Sequence, residues 1–129
     1  MSAMTEENRI HHIAVECTSE HHADLFFSTV LGLPKVKSTV LSKELSAAIF
    51  RIPKEVRFVL YDDGTTRFEV FIADKSREQT FAHICLTIAD TDDFIARCKE
   101  QGLVPFFVER DGRQLLFVRD FCGNLYEIK

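Results

Sequence analysis

The last apolar stretch of the sequence, "DFCGNLYEIK", carries a single carboxylate in its strand pattern, Glu127, between Tyr126 and Ile128. A carboxylate so placed faces water or has a partner, because burying it unpaired costs several kcal/mol or shifts its pKa. Three further residues stand at comparable places. His12 lies in "RIHHIAVEC" and His83 in "FAHICLTIAD", and Glu69 follows the Gly64 turn much as Glu127 follows Gly123. Two imidazoles and two carboxylates suit a divalent ion such as nickel, cobalt, zinc, manganese or iron. Four protein ligands with room for one or two waters describe an open catalytic site rather than a closed structural one. His11 is expected on the opposite strand face from His12, and His21 and His22 in the first turns of an exposed helix face.

The elements that must position these residues fall into two halves with the same grammar. "RIHHIAVEC" alternates and reads as a strand. "TSEHHADLFFSTVLGL" reads as a helix capped by Thr18 or Ser19, with Leu25, Phe26, Thr29 and Val30 as its apolar stripe and Gly32 as its stop. The second half repeats this: "FAHICLTIAD" is a strand, and Asp90 or Thr91 caps "DTDDFIARCKEQ", with Phe94, Ile95 and Cys98 apolar and Gly102 ending it. "PKVKSTVL" and "VPFFVER" are equivalent strands, and each half finishes with strands around an Asp-Gly turn. The first half has an extra piece, "SKELSAAIFRIP", in which Leu45, Ala48, Ile49 and Ile52 recur at helical spacing after Ser42 and before Pro53. The spacing predicts a short helix there. The polar "DKSREQT", residues 74–80, is the expected boundary between the halves. Alternation sets His12 opposite Ile13 and Val15, and His83 opposite Ile84, Leu86 and Ile88, so each imidazole faces a groove while its neighbours pack on the helix.

Composition bounds the alternatives. A chain of 129 residues supports one domain with a sizeable core, here rich in Phe and without Trp. A formal net charge of -4 gives no basic footprint for nucleic acid. No apolar run approaches a membrane span and the polar start lacks a leader's apolar core, so the expectation is no membrane partner and a cytoplasmic protein. Cys17, Cys85 and Cys98 lie in apolar patterns and are expected in the core, with Cys122 in a more exposed loop. Without CxxC spacing, neither a disulfide framework nor a thiolate zinc cluster is expected.

The succession "HHIAVE", "FFSTVLGL", "FEVFIAD", "FAHICLTIAD" and "RDFCGNLYEI" resembles the vicinal oxygen chelate superfamily, which holds glyoxalases, bleomycin-resistance proteins and extradiol dioxygenases. The resemblance spans almost the whole chain. It implies an α+β fold of two βαβββ modules, about 9–73 and about 81–129 within a single domain at 1–129, whose mixed sheet curls around a metal cleft. Carried over residue by residue, His12, Glu69, His83 and Glu127 fall on the four metal positions. The full set is similar to that of bacterial glyoxalase I, with nickel, cobalt or zinc as the implied ion. Oxygenases and thiol transferases of the superfamily use three ligands and leave Glu69 without a task. The implied chemistry is proton transfer next to a carbonyl through a metal-stabilised enediolate, with Glu69 and Glu127 as the proton-carrying pair. A methylmalonyl-CoA epimerase-like isomerase and a non-catalytic small-molecule binder of the bleomycin-resistance type are the alternatives.

Two positions depart from the glutathione-dependent pattern: Glu16 stands where an Arg is typical, and Ala73 where an Asn is typical. Both speak against a glutathione adduct. Arg51, Arg57, Arg67, Arg110 and Arg113 are the candidate cations for a substrate anion. A homodimer is expected, because two half-barrel modules leave sheet edges and apolar surface to cover.

Overall fold

The computed structural model describes residues 7–74 and 79–129. Strand β1 (Ile13–Cys17) leads into helix α1 (Glu20–Ala23), which continues as a π-helical stretch, Asp24–Val30. Strand β2 (Lys35–Leu41), helix α2 (Lys43–Phe50), β3 (Val56–Asp62) and β4 (Arg67–Ile72) complete the first module. The second runs β5 (His83–Leu86), α3 (Thr91–Glu100), β6 (Phe106–Arg110), β7 (Arg113–Arg119) and β8 (Leu125–Ile128). The strands form two four-stranded mixed sheets, in the orders β1-β4-β3-β2 and β5-β8-β7-β6. In both, the first strand pairs in parallel with the last and the remaining pairs are antiparallel. Residues 75–78, most of the expected linker, lie outside the described residues.

The helices start where side-chain oxygens satisfy their free N–H groups. Ser19 accepts from the His22 amide at 3.1 Å, Ser42 from Leu45 at 3.2 Å and Asp90 from Asp93 at 3.0 Å. Helix α2 stops at Arg51, held at φ 60°, just before Pro53. The hairpin between β6 and β7 turns on Asp111 and Gly112, both at positive φ, which is the two-residue turn that matches strand twist.

The first helix differs from its expected form, and the packing says why. The buried residues are Ala23, Phe26, Phe27 and Val30, while Thr29 is exposed. Phe26 meets Tyr126 of the second sheet at 4.7 Å, and Phe27 meets Tyr61 and Phe68 of the first at 5.2 and 5.0 Å. The helix lies between the two sheets, so two successive aromatics are both buried. A wider π turn, with Leu31 N donating to Phe26 O, accommodates them. Each ring contributes roughly 2–3 kcal/mol through burial. Arg97 of α3 donates to Val30 O at 2.9 Å and Asn124 Nδ2 to Glu16 O at 2.8 Å, so the modules are also joined by polar contacts.

Helix α2 forms as expected, but its apolar stripe does not pack inward. Leu45, Ala48, Ile49 and Ile52 are exposed, and the buried residue is Ser46. The cysteine expectations are corrected at two positions. Cys85 is exposed, because the pleat places it on the same face as His83, whereas Cys122 is buried beneath the β7–β8 turn. Cys17 and Cys98 are buried as expected. No helix among the described residues is long and apolar enough to cross a membrane.

Candidate metal centre

The four candidate ligands are brought together as two pairs. His12 Nε2 lies 3.5 Å from Glu69 Oε1, and His83 Nε2 lies 3.8 Å from Glu127 Oε1. Both pairs arise from the same register. His83 is opposite Leu125 across the parallel β5–β8 pair, and Glu127 is two residues further on, on the same face. Ile13 is opposite Phe68, which sets His12, just ahead of the strand, beside Arg67 and again two residues short of its glutamate. His12 and Glu69 are partly open to solvent, as are His83 and Glu127. Each pair therefore sits on the sheet face away from the helices. Among the described residues no group of three or more His, Cys, Asp or Glu side chains converges. The fourfold set is divided into two half-sites within one chain.

The donor chemistry fits a divalent ion. Two ligands bonded at about 2.1 Å to one tetrahedral or octahedral ion stand about 3 to 3.5 Å apart, close to the separations in both pairs. His83 Nδ1 is 3.0 Å from the Phe81 carbonyl, which only accepts, so Nδ1 is the donor there and Nε2 is the nitrogen turned toward Glu127. Metal-binding imidazoles are oriented in this way by a backbone carbonyl behind them. His12 Nδ1 is 2.9 Å from His11 Nδ1, and Arg67 also donates to the His11 ring. His11 thus backs His12 rather than joining Glu69. His21 is exposed as expected, whereas His22 is half-buried and stacks on Phe121 at 4.9 Å.

Of two clefts, one contains the second half-site and the other lies beyond the first, without His12 or Glu69 in its lining. One of about 560 Å³ holds His83 and Glu127 together with Arg110, Arg113 and Lys129. The other, about 330 Å³, lies under α2 and is lined by Glu16, Phe50, Phe71 and Ala73, so the two positions that depart from the glutathione pattern share one wall. The remaining candidate arginines lie outside the His83 cleft. Arg51 ends α2, Arg57 donates to Ser38 at 3.0 Å, and Arg67 pairs with Asp62 at 2.6 Å. Sequence reasoning missed Lys129, whose ammonium is 3.9 Å from Glu127 Oε2, and Cys85, which is paired in register with Glu127. Alternation from His83 and from Glu127 would have found both.

No family model matches the sequence, and no curated protein matches it. Solved structures do resemble it. A glyoxalase family protein from Enterococcus faecalis superposes with a TM-score of 0.71 at 18% identity, over 93% of this chain and 95% of that one. A glyoxalase family protein from Bacillus cereus gives 0.70 at 19%, over 99% and 97%. A variant of the fosfomycin resistance protein FosX from Listeria monocytogenes, complexed with Mn(II) and dihydroxypropylphosphonic acid, gives 0.72 at 17%, over 95% and 92%. The chain has the glyoxalase-like fold of these glyoxalase-family and FosX structures.

Proposed function

We propose that the chain is a metal-dependent lyase or isomerase of the glyoxalase I type, which moves a proton next to a carbonyl on a small anionic 2-oxo or thioester substrate. The observation that carries this reading is the His–Glu pair repeated in identical register on both sheets. His12, Glu69, His83 and Glu127 would hold one divalent ion, with nickel, cobalt or zinc favoured, which supplies a Lewis acid for charge building on the carbonyl oxygen. Since one chain offers pairs, the reading has two protomers facing one another, the first-module pair of one beside the second-module pair of its partner. The exposed apolar stripe of α2 supports a homodimer, because isolated proteins seldom leave such a surface uncovered.

Within that arrangement each residue has a task. Glu69 and Glu127 take the proton from one carbon and return it to its neighbour, as general base and then acid. Arg110 and Arg113, on the rim of the cleft beside His83, hold a substrate carboxylate or phosphate. Glu16 and Ala73, in the cleft under α2, offer neither the cation nor the amide that a glutathione adduct would call for.

A second reading draws on the FosX neighbour complexed with Mn(II) and a phosphonate. The same cationic rim suits a phosphonate, with one carboxylate guiding an added nucleophile. The deciding experiment is the metal content of the purified protein beside its Glu69→Ala variant, by elemental mass spectrometry. About one equivalent per chain, with marked loss in the variant, is expected and justifies screening hemithioacetals, acyl-CoA thioesters and epoxyphosphonates. No metal after reconstitution overturns the enzymatic reading and leaves a small-molecule binder.

A further inference from the structure

Away from both half-sites, two cysteines from different modules meet in the core. Cys17 ends β1, and Cys122 sits in the turn between β7 and β8. Both are free and each is only 1% exposed. The Thr18 amide donates to Cys122 Sγ at 3.0 Å, and Thr18 Oγ1 lies 3.4 Å from the same sulfur. Thr18 N is about 2.4 Å from Cys17 Cα by backbone geometry, which places Cys122 Sγ within about 5.4 Å of that Cα. In a disulfide that separation is at most about 4.5 Å, so a side-chain movement of about 1 Å is enough to bring the sulfurs to bonding distance. The turn itself is fixed: Cys122 N donates to Asp120 Oδ1 at 2.9 Å, and Asn124 Nδ2 reaches across to Glu16 O at 2.8 Å.

The polar environment of Cys122 is unusual for a core thiol. Buried cysteines surrounded by apolar groups stay protonated and inert, whereas donors around the sulfur favour the thiolate, which is the reactive form. Cys122 has the Thr18 amide and hydroxyl as well as the thiol of Cys17, which faces it. Thr18, Phe121 and Gly123 are each half-buried, so the sulfur lies one side chain beneath the surface. A water-sized oxidant reaches such a depth more readily than a bulky alkylating reagent.

We propose that Cys17 and Cys122 form a peroxide-sensitive dithiol that closes to a disulfide joining the two modules. The Cys122 thiolate attacks one oxygen of hydrogen peroxide, the O–O bond breaks, and the sulfur becomes a sulfenic acid as hydroxide leaves. The Cys17 thiol, losing its proton, then attacks that sulfur and displaces the sulfenic oxygen as water. Two thiols have given up two electrons and peroxide has become two waters. A dithiol reductant reverses the change. The inference is independent of the metal reading, since neither sulfur belongs to a His–Glu pair.

The test treats the full chain, with Cys85→Ser to remove the exposed thiol, with a small excess of hydrogen peroxide. Peptide mass spectrometry without reductant and a thiol titration follow. The expected result is a Cys17–Cys122 linked peptide, two thiols lost and both recovered with dithiothreitol. In Cys17→Ser the linked peptide is absent and Cys122 stops at the sulfenic acid, which a dimedone label captures. Full retention of thiols, or oxidation of Cys122 beyond sulfenic acid with Cys17 still free in the Cys85→Ser chain, overturns the proposal. The mapping is done on a chain with both sulfurs present, so it does not depend on the Cys17 variant folding.

Discussion

His83 reaches Glu127 at 3.8 Å across a parallel strand pair, and His12 repeats the relation to Glu69 at 3.5 Å. A mixing experiment follows. If each complete site takes one pair from each protomer, His12→Ala and His83→Ala homodimers both lose metal, but a mixed dimer retains one intact site and one doubly altered site. Co-expression with two affinity tags should restore about one quarter of the wild-type metal in the statistical mixture. A mixed dimer with no more metal than its parents would place the complete site within one chain.

Arg110 and Arg113 separate substrate binding from metal holding. Arg113→Ala should leave metal content unchanged and lower kcat/KM for an anionic substrate about tenfold, mostly through KM, which corresponds to a charge-assisted hydrogen bond of about 1.4 kcal/mol. Steady-state kinetics beside elemental analysis checks this. An unchanged KM would remove the cationic rim from the site.

Asp120 organises the final turn. Buried, it accepts from Cys122 N at 2.9 Å, Asn124 N at 3.0 Å, Asn124 Nδ2 at 2.9 Å and Tyr126 Oη at 3.0 Å. Burial pushes its pKa upward against those donors. Asp120→Ala strands four donors at once and should cost roughly 3 kcal/mol or more, lowering Tm by about 10 °C. Thermal unfolding followed by circular dichroism measures it, and a shift within the error of the wild-type Tm would deny the turn this role.

Cys122 should titrate in an unusual range. Hydrogen bonds from Cys17 and from Thr18 bring its pKa down to about 6, against desolvation and the opposing charge of Asp120. Thiolate absorbance should therefore rise around pH 6 and vanish in Cys122→Ser. The sign for stability follows from a folded pKa lying below the unfolded one. The thiolate's contribution is complete above the ordinary thiol range near 9 and is lost as pH falls through 6. Urea midpoints of wild type relative to Cys122→Ser should widen over that interval. A gap that narrows with rising pH would reverse the assignment.

Local chemistry made much of this fold legible. The caps Ser19, Ser42 and Asp90, the Asp111–Gly112 turn and the face shared by His83 and Glu127 all depend on near neighbours or on strand alternation. What sequence reading missed depends on distant partners. Phe27 is buried because Tyr61 and Phe68 come to meet it, and no helical period encodes that. Cys122 reads as a loop residue until Thr18, far away in sequence, closes over it. The α2 stripe shows the limit of periodicity, which foretold the helix and reports a face to be covered, without saying whether its own sheet or another chain covers it.

The parallel pairing of each module's first strand with its last also governs when the ligand pairs come into being. Ile13 is paired with Phe68, and His83 with Leu125, across most of each module's length of chain. Such non-local contacts are slow to form because loop entropy is lost before they reward it. In a growing chain the β2–β3 hairpin can therefore take shape while His12 is still without Glu69. Each ligand pair thus needs its module's last strand, and a chain interrupted before β4 or β8 would carry the imidazole without its carboxylate.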